Sequence, residues 1–171
     1  MRICINYRDL NVLTIKNCNT LLLIREILQQ LYKIKYYSKF DIIVVFNKIR
    51  IRFDNKYKIV FIIYYNLFKY IVISFKLYNV SIIFQFFINK ILSFYLNNFC
   101  IIYIDNILVY SNTKTKYKNY INKILTKLYN ADLYLNINKY IFFVKQIKYL
   151  NLIIIIEEIR IDFEKIKYIL K

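Results

Sequence analysis

The chain has 171 residues, 59% of them hydrophobic, with 27 Lys and Arg against 10 Asp and Glu and no His, Gly, Pro or Trp. That length suffices for one domain with a sizeable core. The missing His argues against Ser-His or Cys-His hydrolase chemistry, the missing Gly against a Gly-rich phosphate cradle, and three scattered cysteines (Cys4, Cys18, Cys100) with no CxxC pair against a zinc site or a disulfide framework.

In chain order, residues 2–8 read as a strand. Thr20 is placed to cap a helix running to about residue 31, with Ile24, Ile27, Leu28 and Leu31 on one face. Residues 36–42 read as a strand with Asp41 near its end, and 56–64 with 68–74 as a strand pair around Asn66. Phe84, Phe87, Ile88, Ile91 and Tyr95 recur at helical spacing over 81–95. Residues 99–111 form two apolar, β-prone runs around the polar step Asp105-Asn106, the pattern of a hairpin with an acidic side chain at its tip. A helix starts at Asn112 or Thr113 and runs to about residue 130. Short strands are expected over 133–138, 141–148 and 152–161, then a helix over 163–171. Helices set apart from hairpin-built strands give an α+β fold with an antiparallel sheet and flanking helices.

The mean hydropathy is +0.36. Even so, the least charged stretch, 77–104, carries Lys90 and seven Asn, Ser and Gln side chains, so no run of about 20 apolar residues exists to span a membrane. No apolar stretch with a small-residue cleavage site follows Met1-Arg2, so no signal peptide is expected. The expected setting is intracellular, with incidental thiols. A net charge of +17 is the footprint of a nucleic-acid partner. Codon bias supplies a second origin for it: Ile, Asn, Lys, Tyr and Phe have A/T-rich codons, while Gly, Pro and Ala, present here only as Ala131, do not. Without Gly, every turn that needs positive φ must use Asn, Asp or a strained residue.

Seven segments in order carry a resemblance to a known family. Met1-Arg2-Ile3-Cys4-Ile5-Asn6-Tyr7-Arg8-Asp9-Leu10-Asn11 is similar to MRxCVDYRxLN. Tyr37-Ser38-Lys39-Phe40-Asp41 with Phe46-Asn47-Lys48-Ile49-Arg50-Ile51 is similar to FxKLD…YHQIRI, and the run from Ser74 to Gln85 to PFGLxNAPxxFQ. Tyr103-Ile104-Asp105-Asn106 resembles the Tyr-x-Asp-Asp hairpin. Ala131-Asp132-Leu133-Tyr134-Leu135-Asn136 with Lys139 resembles GLxLxxxKC, Leu150-Asn151-Leu152 resembles LGF, and Ile159-Arg160-Ile161-Asp162 resembles GIRxDP. Together they resemble the fingers and palm of reverse transcriptases of gypsy-type LTR retrotransposons.

The resemblance implies partial fingers over about 1–35 and 53–75 and a palm over about 36–52 and 76–171, with no thumb, RNase H, integrase or protease segment. It implies RNA-directed DNA polymerisation on an RNA or DNA template-primer from deoxynucleoside triphosphates, with Mg²⁺, or Mn²⁺ in its place, and no membrane partner. Asp41, the backbone carbonyl of Ile42 and Asp105 fall on metal-binding positions, beside Asn106 where the family has a third Asp. Arg2, Phe46, Phe75 and Lys76 fall on nucleotide-binding positions, and Lys139 is a candidate proton donor to pyrophosphate. Departures from the family pattern share a direction. Gly becomes Lys76 and Asn151, Ala-Pro becomes Val80-Ser81, and Asp becomes Asn6 and Asn106, all reachable by C-to-T or G-to-A change. A decaying element is therefore expected: a catalytically impaired polymerase with weak grip and low processivity, with the remaining polyprotein domains in trans as candidate partners. The alternatives are a non-enzymatic basic nucleic-acid-binding remnant, with Tyr and Phe stacking on single strands, or a poorly folded product.

Overall fold

The structure, a computed structural model, describes residues 5–17, 24–43, 48–74 and 76–162. Its centre is an antiparallel sheet. Strand β1 (Tyr36–Ile43) pairs along one edge with β5 (Asn106–Ser111), which pairs in turn with β4 (Cys100–Tyr103). Along its other edge β1 meets two short strands, β7 (Ile141–Val144) near its start and β6 (Tyr134–Leu135) at its end. Such short pieces suffice because β1 already has its long edge paired with β5 over six residues, Tyr36 to Asp41.

Side chains alternate across a strand, and β1 uses both faces. Phe40 and Ile42 enter a core with Ile102, Ile107 and Val109, covered by α3 (Val80–Ile91) through Phe84 and Ile88 and by α4 (Lys114–Asn130) through Tyr117, Ile121, Ile124 and Leu128. Tyr37 enters a second core with Ile101, Leu108 and Tyr110. That core is closed by Ile27 and Leu31 of α2 (Ile24–Leu31) and by Ile147, Tyr149 and Ile154. The last three belong to a three-stranded sheet of β8 (Ile147–Tyr149), β9 (Leu152–Ile155) and β10 (Glu158–Ile161). A separate hairpin joins β2 (Val60–Ile63) to β3 (Asn66–Lys69). None of the helices among the described residues is long and apolar enough to cross a membrane. Cys100 lies buried as a free thiol, whereas Cys4, Cys18 and the expected cap Thr20 lie outside the described residues, as does the expected helix over 163–171.

Several expected elements differ in the structure. No strand forms over 5–7, because the Asn6 side chain accepts the Arg8 N–H at 3.2 Å and turns the chain into the short helix α1 (Arg8–Leu13). The stretch expected as one strand from 56 is a 3₁₀ turn through Ile59, with Asn55 and Lys58 exposed to solvent, before β2 begins. Helix α3 stops at Ile91, and the chain passes through tight turns to Asn97, whose φ of 61° reverses it. Residues 141–148 divide between two sheets, β7 pairing with β1 and β8 with β9. Residues 152–161 are a hairpin rather than one strand.

The cost of lacking Gly is visible in the backbone. Positive φ falls on Asn97, Asp132 and Asn151, which tolerate it, but also on Lys33, Tyr64, Ile104, Phe143 and Leu150. Leu150 (50°) and Asn151 (64°) are the two loop residues of the β8–β9 hairpin, which thus needs the left-handed conformation at both positions, the requirement of a type I′ turn. Leu150→Asn is expected to stabilise the fold by about 1 kcal/mol. A thermal melt should rise by roughly 2–4 °C; no rise would mean the leucine's packing against the second core outweighs its backbone cost.

Candidate active site

The residues singled out as metal-binding meet at one end of the central sheet. In the β1–β5 register Asp41 lies directly opposite Asn106, and in the β4–β5 hairpin Asn106 lies opposite Tyr103. The two loop residues are therefore Ile104 and Asp105, one position earlier than the polar step Asp105-Asn106 expected from sequence. Asn106 is the first residue of β5, half-buried, and Asp105 is the exposed tip.

Two features fix this register. The Ile104 side chain packs onto the α3–α4 core, although its φ of 54° is costly for a β-branched residue, roughly 1–2 kcal/mol. Its N–H is received by the Gln85 Oε1 of α3 at 2.6 Å, while Gln85 Nε2 donates to the carbonyl of Ile102 at 3.2 Å and to Asn89 Oδ1 at 2.8 Å. Gln85 thus clamps the hairpin from behind. The sequence placed it in a motif but gave it no role; a polar amide on the apolar face of a helix, beside Phe84 and Ile88, was the available signal.

Backbone hydrogen bonds tie the two acids together. The Ile42 N–H donates to the Asp105 carbonyl at 3.0 Å. In an antiparallel strand the N–H and C=O of one residue face the same edge, so the Ile42 carbonyl also turns toward the hairpin. The Asp41 carbonyl faces the other edge, where it accepts the Asn136 N–H at 2.9 Å.

The side chains differ in environment. Asp41 is buried, on the face of β1 that carries Tyr37 and Lys39. Its Oδ2 pairs with Lys139 Nζ at 3.1 Å and its Oδ1 lies 3.6 Å from Lys39 Nζ. That second distance is too long for a hydrogen bond, and Oδ1 is buried with no hydrogen-bond partner. Asp105 Oδ1 accepts from Asn106 Nδ2 at 2.8 Å. Tyr149 donates its phenol to the Asn106 carbonyl at 3.4 Å. Burial first, then the charges of Cys100, Tyr103 and Asp105, push the Tyr149 phenol well above its usual range, so it stays a neutral donor.

This donor set fits a hard divalent cation. A buried carboxylate oxygen with no hydrogen-bond donor is what oxygen-seeking ions require, with a second carboxylate and a carbonyl adjacent. The fit is a lean one: among the described residues no group of three or more His, Cys, Asp or Glu side chains comes together. Lys76 stands apart from these residues. It lines a cavity of about 520 Å³ with Ile5, Asn6, Tyr7, Arg8 and Asn11, and its carbonyl accepts from Asn11 Nδ2 at 2.8 Å. Arg2, Phe46 and Phe75 lie outside the described residues.

Residues 1–154 match the family described as reverse transcriptase (RNA-dependent DNA polymerase). The chain belongs to the reverse transcriptase family. Among curated relatives, the Transposon Tf2-3 polyprotein of Schizosaccharomyces pombe is 28% identical over 150 residues, 88% of this chain and 11% of that protein. The Tf2-7 polyprotein of the same organism is 29% identical over the same share. The chain thus spans about a tenth of the length of these relatives. The fold is that of solved reverse transcriptases. Foamy viral protease-reverse transcriptase in complex with RNA/DNA hybrid superposes with a TM-score of 0.83 at 17% identity, over 97% of this chain and 22% of that one. The same protein in complex with dsDNA gives 0.86 at 18% identity, over 99% and 35%. This agrees with the α+β antiparallel fold and the family read from the seven segments.

Proposed function

We propose that this chain is the fingers and palm portion of a retrotransposon reverse transcriptase, an RNA-directed DNA polymerase whose chemistry is weakened at Asn106. Template-primer and deoxynucleoside triphosphates are its substrates, and the remaining polyprotein domains act with it in trans. The observation that carries this reading is the strand register that sets Asp41 against Asn106 and bonds Ile42 to Asp105. Asp41, Asp105 and the Ile42 carbonyl hold Mg²⁺ or Mn²⁺. When bound, such ions supply stabilisation of charge on the attacking primer hydroxyl and the leaving pyrophosphate. Asn106 offers an amide oxygen without charge, so the site carries one fixed negative charge fewer than the family pattern. Lys139, paired with Asp41, is the candidate proton donor to pyrophosphate.

A second reading rests on the β2–β3 hairpin. Tyr64 and Tyr65 at its tip are 90% and 100% exposed, with Lys69 on the hairpin and Lys56 and Lys58 just before it. That is a surface on which unpaired bases stack, and it needs no catalysis. Primer extension on an RNA template, in Mg²⁺ and in Mn²⁺, separates the two. Weak incorporation is expected, lowered about 10²-fold or more by Asp41→Ala. Binding of template-primer that falls steeply with salt, without any incorporation, would instead leave the stacking surface as the function.

A further inference from the structure

The acidic end of the sheet comes with its own cations. Asn136 donates its N–H to the Asp41 carbonyl at 2.9 Å, and its side chain accepts the Asn138 N–H at 3.2 Å, which starts the 3₁₀ turn Ile137–Lys139. Lys139 N–H then closes onto the Asn136 carbonyl at 3.1 Å. The turn is therefore anchored to the backbone of Asp41 itself, and it delivers Lys139 Nζ to Asp41 Oδ2 at 3.1 Å. Lys39, two residues before Asp41 and so on the same face of β1, approaches the other oxygen at 3.6 Å. With Asn106 neutral, the formal charges of Asp41, Asp105, Lys39 and Lys139 cancel.

We propose that Lys139 is a resident counter-ion that competes with the divalent cation for Asp41, so that metal loading requires its ammonium to swing away. The inference rests on the metal-binding reading given above. Lys139 suits the exchange: its side chain is 62% exposed while that of Asp41 is 11% exposed, so the lysine reaches solvent without repacking the core. Released from Asp41, its ammonium would be free to meet an incoming phosphate. Lys39 is the weaker competitor, because it lies farther from the carboxylate and contacts the other oxygen.

Mn²⁺ alone, titrated into the full chain and followed by the electron paramagnetic resonance of the free ion, tests this without any turnover. Lys139→Met should tighten Mn²⁺ binding about tenfold, and Lys39→Met less, since the Lys39 ammonium lies farther from the carboxylate, at 3.6 Å against 3.1 Å. Lys139→Arg, which keeps the charge, should bind like the parent chain. Asp41→Asn should abolish binding. If Asp41→Asn abolishes binding but Lys139→Met leaves it unchanged or weaker, the competition is wrong and the metal reading stands. Equal tightening by Lys139→Met and Lys139→Arg would also overturn it, because charge would not be the cause. If no variant binds Mn²⁺, or Asp41→Asn binds as well as the parent, the metal reading itself fails and the competition with it. Melting temperatures equal to the parent's confirm that the exposed Lys139 variants fold.

Discussion

Asn106→Asp should raise primer extension by about 10²-fold or more, the size of effect seen when one transition-state electrostatic group is removed or restored. Asn106 faces Asp41 across the strand pair, and its Nδ2 occupies Asp105 Oδ1 at 2.8 Å. The amide therefore does two things against metal binding: it withholds a charge and it ties up an oxygen of its neighbour. A carboxylate there reverses both. The same change has a cost without metal, because three carboxylates would crowd one sheet end with two lysines to offset them. Asn106→Asp should thus melt lower than the parent in chelator and recover when Mg²⁺ or Mn²⁺ is added, since a ligand that binds only the folded state stabilises it. Single-turnover extension and thermal melts with and without metal check the two halves separately. A variant that neither extends primers faster nor responds to metal would show that the loss lies elsewhere in the chain.

The central strand, α2, α3 and α4 were legible because their apolar spacing is long enough to fix a period, and the packing of Phe40, Phe84 and Tyr117 follows that spacing. The acidic hairpin was legible in kind but not in register. Sequence favours the polar pair Asp105-Asn106 as a turn, yet Ile104 occupies the loop because its side chain reaches the core and Gln85 receives its N–H. Both are long-range effects that no local pattern encodes. Residues 5–7 differ for a related reason: Ile5 and Tyr7 have strand-like chemistry, but an Asx bond at Asn6 decides their structure. Residues 141–148 are strand as expected, divided in two by a change of partner sheet at Lys145-Gln146. At the site, Asp41, Ile42 and Asp105 were found through motif residues. Lys39 and Gln85 were within quoted motifs but unread, because their roles depend on which carboxylate and which loop amide lie across the fold.

Gln85 gives the second large effect. It is 8% exposed, so whatever it bonds is lost to solvent as well. Gln85→Met removes the acceptor for the half-buried Ile104 N–H and the donor to the buried Ile102 carbonyl, the latter loss alone costing about 1–3 kcal/mol. It also frees Ile104 to leave a conformation that costs it energy. The expected result in an Asn106→Asp background is a melting temperature lower by several degrees, roughly 2–4 °C per kcal/mol. Extension should fall about tenfold or more, because small misplacements of reacting groups are costly. The fall should appear in the extension rate and in weaker Mn²⁺ binding, with template-primer affinity unchanged, because the Gln85 hydrogen bonds go to Ile104, Ile102 and Asn89, at the Asp105 hairpin and within its own helix. Gln85→Glu sharpens the test. It keeps an acceptor for Ile104 but turns a carboxylate toward the Ile102 carbonyl and Asn89 Oδ1, where the amide donated. It should therefore be no better than Gln85→Met in stability. A Gln85→Met chain that melts lower yet extends primers and binds Mn²⁺ at the unmutated rate and affinity would reduce Gln85 to a packing residue and remove it from the site.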